Sequence, residues 1–404
     1  MIAWLLVTAV ALSAQAATAQ SFDSLPESRF VKQRERFTPE GGAPLDLHFA
    51  IAREAAGQTT RFATTTHAAL TLMSAWFGPP FRSSLNVAGV FSLPGGVPGW
   101  RPGANVVSVP VHWLTPARDQ RTERQLIHGI VREYWVNSRA PSAFEDALIA
   151  YTATRATHQL LEGSNFATLT YFGGFVPFPL RAVLLSPPVA DPRPRAWRFD
   201  EPDRAVDAEI HRHVRAFQVI ERYAGWPTML AALARLRLAD RRDGETFAAT
   251  LSEVRGSDLR PLVIECLRAD AVFDYSLDGL QSQPGSTGLT ETTLAISRRG
   301  NAMFALRNTD GDREAAMPVL VRFADGTEAR DFFDGAASSA TLVYSTTSPS
   351  IGAVIDPDLM LLLDVNRENN TIVREPPTSR LGVRLALHWM TWLQNAMLSY
   401  TALL

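Results

Sequence analysis

One cysteine and one lysine in 404 residues remove several chemistries before any motif is sought. Cys266 has no second cysteine to pair with, so no intrachain disulfide can staple the fold, and stability must come from core burial. Its setting, Leu262-Val263-Ile264-Glu265-Cys266-Leu267, is apolar on most sides and suits a buried structural thiol better than a nucleophile. Lys32 is the sole lysine, which excludes a phosphate-loop lysine, a Schiff-base lysine and a Ser-Lys dyad in the folded body. Charge of one sign is also missing: 39 basic residues face 41 acidic ones, with no long run of either. Without a clustered basic face, a nucleic-acid partner is not expected.

What is present is ordinary globular composition, 46% hydrophobic and 20% charged, in a chain long enough for two or three domains. Residues Met1 to Ala19 carry no charged side chain and end in the small-x-small series Ala17-Thr18-Ala19, the pattern of a signal peptide. An uncleaved membrane anchor is the alternative, and export to the periplasm or the exterior is expected on either reading. Leu385 to Leu404 is a second stretch without Asp, Glu, Lys or Arg, and as a helix it has the length of a bilayer core. His388, Gln394 and Asn395 make a costly span, so a membrane-surface helix, a partner-packing helix and a terminal core helix stand beside the membrane span.

Between these ends the pattern changes several times. Ser21 to Leu45 is polar and Pro-containing and reads as an irregular arm. Helical spacing from Thr66 to Phe77 stops at Gly78-Pro79-Pro80. Asn86 to Phe91 and Asn105 to Trp113 are Val-rich strands around the Gly/Pro loop Pro94 to Gly103, which either roofs a cleft or merely connects them. Helical periodicity follows over Arg121 to Val136, Ser142 to Leu161 and Ala205 to Arg235, with further helices to Arg268. From Thr287 to Ile355 short alternating strands suggest a β-sandwich of immunoglobulin-like size. The expected class is α+β: an α/β lobe, a helical lobe, a β-sandwich and a C-terminal hydrophobic helix.

The chemistry concentrates in Glu123-Arg124-Gln125-Leu126-Ile127-His128-Gly129-Ile130-Val131-Arg132-Glu133-Tyr134-Trp135. A zinc peptidase carries His-Glu-x-x-His on a helix, which sets two imidazoles one turn apart with the Glu as general base. Here His128 holds the first ligand position, Gly129 replaces the base and Arg132 replaces the second ligand. Glu133-Tyr134-Trp135 resembles the Gln-Trp-Trp that follows this motif in the aminopeptidase N family of gluzincin metallopeptidases. Ala143-Phe144-Glu145-Asp146-Ala147-Leu148-Ile149-Ala150-Tyr151 is similar to the family's next helix and sets Asp146, across a shortened interval, or else Glu145, at the third zinc ligand. Trp76-Phe77-Gly78-Pro79-Pro80-Phe81 resembles the family's turn before its first sheet strand, and Val107-Ser108-Val109-Pro110 its edge strand above the zinc. Tyr223-Ala224-Gly225-Trp226-Pro227 is similar to the segment whose Tyr steadies the oxyanion, which gives that role to Tyr223.

The resemblance covers about residues 60 to 370 and implies a thermolysin-like lobe. It leaves no room for the large N-terminal β domain of aminopeptidases, and the Gly-Ala-Met-Glu-Asn sequence that holds a substrate's free amine is absent. The expected division is a signal peptide (1–19), an arm (20–60), a peptidase-like domain (61–282), a β-sandwich domain (283–375) and a hydrophobic helix (376–404). His128 with one carboxylate, Asp146, supplies two zinc ligands where three are needed, so no cofactor is expected and zinc is the alternative. In the expected arrangement Arg132 turns its guanidinium into the former metal position and pairs with Asp146 or Glu145. His211 and His213, two apart on a helix, are expected at the surface. Asp356, Asp358, Asp364, Asn366, Glu368, Asn369 and Asn370 suit either Asx turns or a calcium ion. Together these residues imply a pseudo-peptidase that binds a peptide or protein. Its rivals are an active hydrolase using His128, Glu133 and Asp146, and a structural subunit docked through Leu385 to Leu404.

Overall fold

The structure is a computed structural model and describes residues 22–80, 82–91, 106–111, 121–136, 141–161, 202–285, 288–304, 306–307, 313–333, 335–374, 386 and 389–390. The chain divides into two compact units, Met1–Ser142 with Ile149–Phe175, and Ala143–Leu148 with Val176–Leu404.

In the first unit the polar arm is in fact structured. Phe30–Phe37 forms strand β1, paired antiparallel with β2 (Leu45–Ala52) in register from Phe30 opposite Ala52 to Phe37 opposite Leu45. The expectation of irregular chain failed because β1 is an edge strand. Only Phe30 and Phe37 are buried, and Lys32, Gln33 and Arg34 between them are exposed. Charge on an edge blocks further pairing, but it hides the strand from a reading based on alternation. The sheet continues with β3 (Ser84–Phe91) and β4 (Val106–Val111), in the order β1-β2-β3-β4. The pairs β2–β3 and β3–β4 are parallel, so the chain must cross over between β2 and β3. Helix α1 (Thr59–Phe77) makes that crossing. It ends at Gly78, whose φ of 76° lies in the left-handed region and whose amide reaches Ser74 O at 2.9 Å.

Helix α2 (Arg121–Trp135) packs against α1 and β4. Its fully buried stripe is Leu126, Ile127, Ile130, Val131, Tyr134 and Trp135, the i, i+4, i+8 pattern of an amphipathic helix. The Trp135 ring meets Phe77 edge-on at 5.6 Å, and Tyr134 Oη lies 2.9 Å from Ser74 Oγ. These contacts fix the rotation of α2 about its own axis and so decide where its polar residues point. Helix α3 (Ala143–Leu161) begins in the second unit and continues in the first.

The second unit holds α4 (Pro202–Ala224), α5 (Trp226–Leu238), α6 (Gly244–Arg255) and α7 (Arg260–Leu267). The stretch read as one helical run from Ala205 to Arg235 is broken at Gly225, where φ is 84° and Pro227 opens the next helix. Phe144, at the start of α3, packs edge-on against Phe217 of α4 at 5.5 Å and lies 6.3 Å from Phe247 of α6.

The β region starts at Tyr275, earlier than the sequence boundary. One sheet has the order β11-β6-β5 and the other β10-β9-β12-β13, built from β5 (Tyr275–Pro284), β6 (Thr290–Arg298), β9 (Met317–Phe323), β10 (Glu328–Phe333), β11 (Ser339–Thr346), β12 (Ser350–Ile355) and β13 (Thr371–Val373). The short pair β7 (Leu306–Arg307) and β8 (Arg313–Ala315) stands apart. The two larger sheets touch through Tyr275 and Phe333 at 6.0 Å and through Phe323 and Tyr344 at 6.3 Å. These seven strands pair antiparallel throughout, in two sheets.

The signal-peptide segment and the Gly/Pro loop from Pro94 to Gly103 lie outside the described residues, as does almost all of Leu385 to Leu404. Within that last segment, Ala386, Trp389 and Met390 are helical and exposed. Among the described residues no helix is long and apolar enough to cross a membrane.

Candidate functional site

With the apolar stripe of α2 turned inward, His128 and Arg132 fall on its exposed face. The two are one turn apart, as the motif requires. Gly129 points instead at the sheet. A Cβ placed on Gly129 would collide with the Val107 side chain of β4, whose Cγ1, Cβ and Cγ2 are the nearest atoms to it. The close approach of helix and strand therefore depends on a residue without a side chain. The space that the Cβ of any other residue would need is taken by valine.

Arg132 is exposed, which overturns the expectation of a buried guanidinium replacing the metal's charge. Glu145 is 1% exposed and lies 3.8 Å from Arg242, with both residues in the second unit. The α3 geometry that sends Phe144 into the helical lobe also sends Glu145 toward Arg242, so its carboxylate is compensated without Arg132. Asp146 is half-buried on the same turn. Tyr223 is half-buried in the last turn of α4, two residues before the left-handed Gly225.

Glu133, offered to the rival hydrolase constellation, faces Arg82 at 3.2 Å. It lies five residues beyond His128, about 140° around the helix, and lines a small pocket with Leu45, Leu70, Arg82, Ile130 and Tyr134. Burial raises its carboxyl above the ordinary value of 4.5, against the opposing pull of Arg82 and Arg132. Its role here is to pair with Arg82. Glu123 is likewise held by Arg61, with Nη2 of the arginine 2.6 Å from Oε2. Arg82 and Arg242 are the residues that sequence reasoning missed, and the contact of Val107 with Gly129 is the relationship it missed. No local signal marks them, because each acts across a tertiary contact.

The base position is closed, the second ligand position carries an exposed arginine, and among the described residues no three His, Cys, Asp or Glu side chains gather as a metal site. The acidic and amide run resolves into turns. Asp356 accepts from the amides of Met360 (2.6 Å) and Leu361 (2.8 Å), and Asp364 from the amide of Asn366 (2.9 Å) and the side-chain amide of Asn370 (3.0 Å). His213 is buried at 8% exposure, contrary to expectation. The buried face of α4 takes in His213 together with its neighbour Arg212. Cys266 is fully buried, and burial pushes its thiol up to about 12, as befits a structural residue.

No sequence-family model matches the chain, and no curated protein matches it in sequence. Among solved structures, it is similar to aminopeptidase A of Legionella pneumophila, determined in complex with aspartic acid. The TM-score is 0.54 at 13% identity, over 83% of this chain and 38% of that one. The chain thus has an aminopeptidase-like, mixed α and β fold and spans less than half the length of that neighbour. At this identity the likeness concerns the fold alone.

Proposed function

We propose that this chain is an exported, non-catalytic relative of the aminopeptidase N-like gluzincins that binds a peptide or protein. The observation that carries the reading is the collision awaiting any side chain at Gly129. In the related motif that position supplies the general base, whose loss removes a contribution of about 10²–10⁴ in rate. Here the base is absent and its space is taken by Val107, so restoring the glutamate alone does not rebuild the site. The rival hydrolase is disfavoured because Glu133 is committed to Arg82.

Binding without catalysis suits the surface that remains. Among the described residues β4 is the edge strand of its sheet, with Ser108 exposed and Pro110 within it. An extended peptide adds to such an edge through main-chain hydrogen bonds. The C-terminal apolar segment is the element we assign to contact with a membrane or a membrane protein, and the uncharged leader to export.

The deciding experiment is elemental analysis of purified residues Gln20 to Leu404 after zinc supplementation and extensive dialysis. We expect no stoichiometric zinc and no peptidase activity. Stoichiometric zinc that disappears in His128→Ala would overturn the reading in favour of a metallopeptidase with an altered site.

A further inference from the structure

A pocket in the first unit is walled by Leu45, Leu70, Leu85 and Ile130, all of them buried. The four arrive from different elements. β2 and β3 run parallel with Asp46 opposite Ser84, so Leu45 and Leu85 stand at neighbouring strand starts. Leu70 comes from α1, and Ile130 from the buried stripe of α2.

The two charged residues that line the same pocket are Arg82 and Glu133. Glu133 follows Ile130 by three residues and so shares its side of the helix. Arg82 belongs to the turn between α1 and β3, which is pinned where the Ser83 carbonyl accepts from the Asp46 amide at 2.9 Å. Arg82 Nη1 and Glu133 Oε2 lie 3.2 Å apart, yet both atoms are buried and neither has a hydrogen-bond partner. At that distance only misalignment prevents a bond between them, so their attraction is ionic and undirected. A donor and an acceptor are thus left unmet side by side, where burial makes that costly. Burial also raises the Glu133 carboxyl, as suits a carboxylate short of donors.

These paired needs define what an occupant must be. A carboxylate would satisfy Arg82 and be repelled by Glu133, and an ammonium would do the reverse. A neutral group that accepts and donates at once satisfies both. A carboxamide does so through its oxygen and nitrogen, and a hydroxyl through its one oxygen. The enclosed space is about that of one water and the rest opens to solvent, so the head of a ligand enters while its stem remains in the mouth. Water is the competitor that such a head must displace.

We infer that this pocket is a binding site for a neutral head group, a carboxamide or a hydroxyl on a short apolar stem, held by Arg82 and Glu133 together. The site lies on the flank of α2 away from His128 and involves neither Gly129 nor β4. It therefore stands or falls independently of the peptide-binding reading.

The test is an NMR titration of the full chain, methyl-labelled at isoleucine and leucine, at constant ionic strength. Its probes are butyramide, butan-1-ol, butyrate and butylammonium, which share a tail and differ in the head. Fragments of this size reach millimolar affinity. Butyramide, butan-1-ol or both should shift the Ile130 and Leu85 methyl resonances saturably, with the two ions at least about tenfold weaker. A response to butyramide alone identifies a carboxamide-bearing ligand, and one to butan-1-ol alone a hydroxyl-bearing ligand. Glu133→Gln removes the repulsion and keeps the shape, so butyrate should then shift the same methyls. The probe series on the native protein decides the case where that variant fails to fold. No saturable shift with either neutral probe means a pocket that holds water only, and equal binding of all four means that the tail alone is recognised. Either result overturns the proposal, as does butyrate still excluded by a folded Glu133→Gln protein.

Discussion

Glu133 and Arg82 meet at 3.2 Å, with 18% and 15% of their side chains exposed, on the flank of α2 away from His128. Removing the arginine leaves a largely buried carboxylate with only the weaker pull of Arg132. We expect Arg82→Ala to cost about 2–3 kcal/mol near neutral pH, the lower side of the range for buried pairs because some solvent reaches this one. The sign of the pH dependence follows from the raised carboxyl. The folded protein holds this proton more tightly than the unfolded chain, so stability falls as pH rises from the ordinary value of 4.5 through the folded one. Arg82→Ala raises the folded value further. Its penalty should therefore be larger at about pH 8 than at about pH 5 in urea unfolding, and a pH-independent penalty would contradict the assignment.

Gly129→Ala offers a second test. In an open helix the change would stabilise by about 1 kcal/mol. Against Val107 it should instead destabilise by about 1–3 kcal/mol through overpacking. Pairing it with Val107→Ala opens the space and should recover part of the loss. Thermal melts of both variants measure this directly, and a more stable Gly129→Ala protein would show that α2 can move off the strand.

Glu145, with 1% exposure, gives a third. Arg242→Ala should cost about 3 kcal/mol, whereas Glu145→Gln should cost less because it leaves a neutral group that can still hydrogen-bond. A double-mutant cycle on Arg242→Ala and Glu145→Gln reads the coupling, and an additive cycle would refute the pairing.

Cys266 should resist an aromatic disulfide reagent in the native protein and react fully in denaturant, because burial pushes its thiol to about 12. Rapid native labelling would contradict its buried placement.

Much of the fold is legible in the sequence, for reasons that also explain the failures. α2 and α3 are legible because their apolar residues recur at helical spacing, and α1 stops where Gly78-Pro79-Pro80 says it must. β1 is not legible, because an edge strand shows mostly its charged side chains. The break at Gly225 is concealed by helix-compatible residues on both sides of it. At the candidate site, His128, Gly129 and Arg132 are picked out by the resemblance of their helix and its flanks to a known motif. Local sequence does not reveal that Val107 lies under Gly129, or that Arg242 rather than Arg132 lies beside Glu145. Those relationships are set by how strand, helix and lobe pack.

The exposed edge strand β1 has a practical corollary, since it carries Lys32, whose Nζ lies 3.5 Å from the Asp23 carbonyl. Apart from the chain's amino terminus, this is the one primary amine in the protein. An amine-reactive dye or biotin thus attaches at Lys32 on the first unit and at the amino terminus. A sensor surface loaded that way holds each molecule by at most two points and leaves the side chains of the second unit chemically untouched.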